Sequence, residues 1–338
     1  MSSLTKTSLW SDTKRIPEVL SANLDRGDSV GHTLSQIGAD RAGRIVVTGN
    51  GASYYAAQTM AVAASLGGHT GPEVFAAPAE WLVSPHFTWR ADDRLIVVST
   101  SGELKEAIVA MDSTPAPTLA ITQDATSSVG IRADACIELV MHSQVAFTHT
   151  QAFAGNVAIL LGIWAHLVGD EILQEGLESL SGTLNETIPR ADAWMQSLDL
   201  VLSETSGGIV GGPCGTEPAA YETALLLKEL ALLPTEAMNV REAATTGLYA
   251  AGRGDLCVVI PTGDPAVLDE TEDLANSVGS VTLRLPGADQ ADVRLSSITT
   301  LPYSIALAGS LGLERGVNVD HPPWIDRYLA AARDQNRG

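Results

Sequence analysis

Cysteine, aromatic side chains and positive charge are all scarce in this chain. Of its 338 residues only three are cysteines, Cys136, Cys214 and Cys257. They are scattered, odd in number and free of CxxC spacing, so neither a disulfide framework nor a zinc site is expected. Three buried thiols acting as small hydrophobes are expected instead. The seven histidines form no HxxxH or HExxH pair, so no metal site is indicated. Lys and Arg number 20 against 40 Asp and Glu, a net charge of −20. A surface this acidic repels nucleic acid, and no basic stripe or helix-turn-helix segment offsets it. The same charge opposes capture of a small anion, so any anion site must be built locally from backbone dipoles, hydroxyls and one or two cations. No apolar run reaches the roughly 18 residues that span a bilayer, and MSSLTKTSLWSDTKR has no apolar signal core. A cytoplasmic location away from membranes is expected.

What the chain does have is alanine, glycine, valine and leucine. Hydrophobic residues make up 45% and aromatics 5%, the usage of α/β proteins whose helices pack closely on sheets. The length suits two domains of roughly 150 residues each. Residues 1–42 read as helices, over Thr13 to Leu24 with an interruption at Pro17 and over Ser29 to Gly38. Strands then alternate with helices: Arg44 to Thr48, a glycine turn, a helix Tyr54 to Leu66, a strand at Glu73 to Ala76, a helix at Ala79 to Leu82 and a strand ending at Val98. Strands at Thr118 to Thr122 and Ala135 to Leu139 follow, then a long apolar helix, Phe153 to Val168, suited to a buried interface. This alternation implies a parallel doubly wound sheet. After a polar helical linker the pattern returns. GGIVGGPCG parallels residues 43–51, Glu217 to Leu233 parallels the next helix, and LCVVIPTGD with a helix near Ala266 to Val278 parallels VVSTSG and its helix. Two copies of one unit are the economical account.

In such sheets ligands sit at the carboxyl ends of the strands where strand order reverses. GNGAS (49–53) lacks the full GxGxxG because residue 54 is Tyr, and it lacks the Walker lysine, so no nucleotide site is indicated. VVSTSGELKEAI (97–108) places three hydroxyls and a glycine where the first free N–H groups of the following helix should point, the geometry that binds an anion. Ser53, Ser99, Thr100 and Ser101 are the candidate ligands for one phosphate-like group; simple N-capping is the alternative.

On the second copy, Glu222 and Glu229 are two helical turns apart on an apolar helix and share a face. Burial would raise their pKa toward the range of a general base. A structural ion pair with Lys228 or Arg241 is the alternative. His149, among the hydroxyls of SQVAFTHTQAF, is a candidate pocket residue.

VVTGNGASYYAAQ, VVSTSGELKEA, VAFTHTQAF, YETALLLKELALLPTEA with REAATTG behind it, and RGVNVDHPPW resemble, in order and spacing, the double sugar isomerase (SIS) family. The pattern is similar to the isomerase domain of glucosamine-6-phosphate synthase and its deglycase and deaminase relatives. The resemblance implies two SIS-type doubly wound parallel sheets flanked by helices, in three α/β/α layers. It divides the chain into N-terminal helices (1–42), a first SIS domain (43–169), a helical linker (170–199), a second SIS domain (200–326) and a tail that closes the site (327–338). It implies that Ser99 and Ser101, with Ser53, bind a sugar phosphate and that Glu229 moves a proton between C1 and C2 through a cis-enediol or enamine, with no cofactor. Glu242 matches an acidic residue supplied by the partner subunit, so a homodimer with shared sites is implied.

Departures from the family pattern matter as much. Thr245 stands where the family has its ring-opening histidine, and His149 is the candidate replacement. Arg327 stands at the lysine that closes over the sugar, a better anion clamp than a base. Leu104 replaces a threonine beside the anion, with Lys105 next to it. The expectation is an aldose–ketose isomerase acting on a hexose with an anionic C6 group, a 6-phosphate by default and a 6-sulfonate such as sulfoquinovose in the version Leu104 favours. An amino-sugar deaminase, a fructosamine-6-phosphate deglycase and a non-catalytic sugar-phosphate sensor are the rivals.

Overall fold

The computed structural model describes residues 3–25, 27–68, 70–142, 144–198, 204–262, 264–287 and 292–328. The part of the expected tail beyond 328, and Gly263 of the second hydroxyl turn, lie outside them. In chain order the elements are α1 (Ser8–Thr13), α2 (Ile16–Leu24), α3 (Gly27–Gln36), β1 (Arg44–Gly49), α4 (Ala52–Leu66), β2 (Glu73–Pro78), α5 (Ala79–Leu82), β3 (Asp93–Val98), α6 (Lys105–Ser113), β4 (Thr118–Thr122) and β5 (Ala135–Glu138). They continue with α7 (Thr150–Val168), α8 (Glu171–Ser197), β6 (Gly208–Gly212), α9 (Glu217–Ala231), β7 (Thr235–Asn239), α10 (Val240–Thr245), β8 (Leu256–Val259), α11 (Pro265–Ser277), β9 (Val281–Arg284), α12 (Ser296–Thr299) and α13 (Leu301–Glu314). Pro17 does not interrupt a helix. It sits at the second position of α2, where a missing N–H costs nothing, and the break falls before it, between α1 and α2.

The chain divides into two units. One comprises Ile16–His142 and Gln151–Gly182 and holds a five-stranded parallel sheet in the order β2-β1-β3-β4-β5. Its strands read as near-continuous apolar runs because helices cover both faces; every residue of β1 is buried. The other comprises Met1–Arg15, Ser143–Thr150 and Thr183–Gly338, with a four-stranded parallel sheet in the order β7-β6-β8-β9. Edge strands β7 and β9, and helices α12 and α13, escape the sequence reading. The strands are short, only half-buried in part and carry Glu236, Asn239 and Arg284, so they lack a clean apolar run.

In each sheet the chain crosses first to one side and then to the other. Strand order therefore reverses between β1 and β3 in one unit and between β6 and β8 in the other. The doubly wound architecture expected from the alternation is present in both copies.

Two expectations need correction. Of the three thiols only Cys257 is buried; Cys136 is half-buried and Cys214 exposed. Helix α7 reaches 19 residues and is apolar enough, by length and composition, to cross a membrane, although 78% of its most apolar window is buried in the fold. The polar residues Thr150, Gln151 and Asn156 at its start interrupt the apolar run in the sequence.

Candidate active site

The first set of groups gathers at the carboxyl ends of β1 and β3, which are direct neighbours with Thr48 beside Val97. After β1 the chain turns sharply into α4. A Cβ on Gly49 would lie 2.8 Å from both the backbone carbon and the Cβ of Ser53, and Gly51 has φ 54°, so glycine is required for this close return. Ser53 thus lies on the first turn of α4, half-buried. After β3, the N–H of Ser99 donates to Ile121 O at 3.0 Å and the N–H of Gly102 returns to Ser99 O at 3.0 Å. Gly102 has φ 67°, and a Cβ there would strike Ser127 Oγ at 1.9 Å.

These turns leave Ser99 buried, Thr100 half-buried and Ser101 exposed. None of the three caps a helix. Helix α6 begins at Lys105, and its N-cap is Leu104, which makes no side-chain capping bond. Ser101 Oγ instead accepts the N–H of Glu103 at 3.3 Å. The capping alternative therefore fails, and the hydroxyls precede the helix start rather than sit on it. Leu104 packs into the core formed by Val46, Leu95, Val97 and Met111 and turns no donor toward the loop. Lys105, at the first helical position, is exposed. A cation at the positive end of a helix is unfavourable alone, and an anion between the two relieves it.

Sequence reasoning missed a further participant here. Asn156 of α7, 1% exposed, donates from Nδ2 to Thr100 Oγ1 at 3.4 Å, while its Oδ1 has no partner. Asn50 Oδ1 in the GNGAS turn is likewise buried and unpartnered. Orphan buried polar atoms are costly, and each needs a physical explanation. A lone Asn in an apolar helix was the signal available in the sequence.

The second set lies in the other unit, on α9. Its Glu222 is 4% exposed with Oε2 unpartnered, and its Glu229 is half-buried. Burial raises the Glu229 pKa to about 7, against the lowering effects of the Thr148 hydroxyl and of Lys228. Thr148 Oγ1 donates to Glu229 Oε2 at 3.2 Å. Burial, and then the charge of Glu229, push Glu222 well above the carboxylate range. The ion-pair alternative fails for both. Lys228 is exposed, and Arg241 pairs with Glu270 at 2.5 Å.

His149 follows Thr148 directly. Its side chain is exposed, with its ring centroid 5.8 Å from that of Phe147. Desolvation by the surrounding protein lowers its pKa, while Asp12 pulls it upward. Trp324, from the HPPW segment, donates its indole N–H to the Glu229 carbonyl at 2.9 Å. Thr148 and Trp324 are additional groups that the sequence reading did not single out, although both lie inside its motifs.

Other expected residues do not meet this set within one chain. Glu242 and Thr245 are exposed on α10, which packs on β6 and α11, and Thr245 Oγ1 donates to Arg241 O at 2.9 Å. Arg327 is exposed on the last described turn. Among the described residues no three His, Cys, Asp or Glu side chains gather as a metal ligand set.

Residues 40–167 match the family model described as the SIS domain. No curated protein matches the sequence. Among solved structures, the C-terminal domain of glucosamine-fructose-6-phosphate aminotransferase from Francisella tularensis is similar at 15% identity and TM-score 0.79, over 94% of this chain and 98% of that one. Tagatose-6-phosphate ketose/aldose isomerase from Escherichia coli is similar at 18% identity and TM-score 0.74, over 96% and 98% of the two chains. Glucosamine-6-phosphate deaminase from Thermotoga maritima is similar at 18% identity and TM-score 0.71, over 91% and 97%. At these identities the likeness is one of fold.

Proposed function

We propose that this chain, which carries a SIS domain across residues 40–167, is a cofactor-independent aldose–ketose isomerase of a hexose with an anionic group at C6. The observation that carries the reading is Glu229, a carboxyl that burial brings to about 7 and that Thr148 holds through Oε2. A group titrating near neutrality is suited both to take a proton and to give it back. In the proposed reaction Glu229 removes the C2 proton of the open-chain aldose, the electron pair forms the C1–C2 double bond of a cis-enediol as O1 takes up a proton, and the Glu229 carboxyl, whose proton exchanges with solvent at this stage, protonates C1 as the C2 hydroxyl loses its proton and the C2 carbonyl forms. His149 serves the oxygen protons and ring opening in place of the histidine that Thr245 replaces.

The anion is assigned to Ser53, Ser99, Thr100 and Ser101, with Lys105 supplying charge and Arg327 the closing cation. Glu242 and Thr245, exposed on α10, are assigned to the neighbouring chain of a homodimer. Because Leu104 turns into the core, the anion lacks one hydroxyl donor, a loss of about 1.5–3 kcal/mol if a charged acceptor stays unpaired. A sulfonate, with a single negative charge, suffers less from that loss than a phosphate dianion, so the comparison of a 6-sulfonate with a 6-phosphate hexose is part of the test.

The test is NMR of candidate aldoses in deuterated water. Deuterium at C2 together with ketose formation supports the reading, and absence of both for every anionic hexose sinks it. Ammonia or amine release from an amino sugar would reassign the same base to deamination or deglycation. Binding without any turnover, unchanged in Glu229→Gln, would make the protein a sensor.

A further inference from the structure

We infer that Asp12, on the amino-terminal helix α1, is a positioning residue for Glu229 and acts through the loop at 145–148. The inference rests on Glu229 being the proton-moving group. Asp12 is 3% exposed, and its Oδ2 accepts the N–H of Val145 at 2.9 Å and that of Ala146 at 2.8 Å. The next N–H, of Phe147, donates to Asp320 O at 3.2 Å. Asp320 is in turn tied to α1, because its carboxylate accepts the N–H of Ser8 at 3.0 Å and of Leu9 at 2.8 Å, the first free donors of that helix. Three consecutive loop N–H groups thus end on α1 or on the residue that α1 holds.

Ala146 of the loop is also buried. Val145 is 72% exposed and anchors nothing by burial. Gln144 Nε2 bridges Ala146 O at 3.1 Å and Thr148 O at 2.9 Å, which shapes the loop without attaching it to α1. The hydroxyl delivered by this arrangement is Thr148, which is buried and donates to Glu229 Oε2. On the far side of the loop the Phe147 ring meets Trp324 edge-on, at 5.5 Å, and Trp324 holds the Glu229 carbonyl. Exposed Lys228, on the same helix, is the charged group that acts on Glu229, while Glu229 raises Glu222 and Asp12 itself raises His149. A bond from Thr148 favours the ionised carboxylate, so losing its placement raises the Glu229 pKa and lowers the fraction of active base.

The experiment uses the full chain with Asp12→Asn, and with Thr148→Val as the variant that removes the hydroxyl alone. Asp12→Asn is expected to lower kcat about tenfold. KM should change less than about twofold, and the acid limb of the kcat profile should move up by about one pH unit. Thr148→Val should reproduce this, and the double variant should add nothing further, as for two residues acting through one bond. Carbon-13 titration of the Glu229 carboxyl reads the same upward shift without turnover. If the wild type isomerises nothing but that titration moves, the positioning stands and the isomerase reading falls. If melting temperature drops while the carboxyl titration and pH profile stay put, or if the two substitutions add, Asp12 holds α1 in place and nothing more.

Discussion

The turns after β1 and β3 and those after β6 and β8 occupy equivalent places in two sheets of the same winding, yet their polar groups are bonded differently. In the second sheet the turns are closed by the chain's own groups. Thr216 Oγ1 donates to Pro213 O at 2.9 Å, and Glu217 Oε2 accepts the N–H of Gly215 at 2.7 Å. Asp264 caps α11, its Oδ1 accepting the N–H of Ala266 at 2.9 Å. In the first sheet α4 has no acidic residue in its first turn, α6 has no side-chain cap and starts on Lys105 with Glu106 next to it, and Asn50 and Asn156 keep unpartnered oxygens. A helix end that holds its own carboxylate has little use for another anion, whereas an uncapped one beside a lysine attracts one. In the proposed function the anion belongs to the turns of the first copy and the proton-moving Glu229 to α9 of the second.

The largest expected effect tests the second half of that contrast. Glu229→Gln should lower kcat by about a thousandfold or more while calorimetry finds substrate binding within about threefold of wild type. Making the first copy resemble the second comes next. Leu104→Asp puts a carboxylate at the start of α6, and KM for the anionic sugar should rise about a hundredfold through charge repulsion at the occupied place. The reverse change, Asp264→Leu, should leave KM alone and cost about 1 kcal/mol in denaturant unfolding, the worth of a cap. A hydroxyl pair sharpens the comparison further: Ser99→Ala should raise KM about tenfold, and Thr262→Ala should not move it. Equal effects from the two would overturn the assignment of the anion to the first sheet.

The smallest effect is on stability against pH. Glu229 titrates at about 7 in the fold and at about 4.3 in an unfolded chain. Between those values the folded state holds the extra proton, so its contribution is full below the lower value and is lost as pH rises through 7. Glu229→Gln removes that loss. Its melting temperature should equal that of the wild type near pH 4 and exceed it at pH 8, by the equivalent of about 1–3 kcal/mol.

How much of this was readable in advance depends on whether a residue acts through its neighbours in sequence. The alternation of β1, β3 and β4 with helices was legible because buried parallel strands write themselves as Val and Ile runs. Glu229 stood out as a charge on an apolar helix. Thr148 did not, since nothing local distinguishes it from Thr150, whose Oγ1 is buried and unpartnered. Asp12 was less visible still: its partners are more than 130 residues away. The helix start after Ser101 was also misplaced by sequence, because capping geometry depends on the path of Gly102 against Ser127.

Composition and pattern by themselves determined the fold class, the duplication, the two hydroxyl and glycine turns and the apolar helix bearing Glu222 and Glu229. These follow from periodicity and from backbone preferences, which act over a few residues. Only the tertiary structure decided that the serines cap nothing, that Leu104 faces the core, that Arg241 is spent on Glu270 and that Glu229 is raised to about 7 under the hydroxyl of Thr148. Desolvation and hydrogen-bond partnership are properties of surroundings assembled from distant segments, and no stretch of sequence carries them.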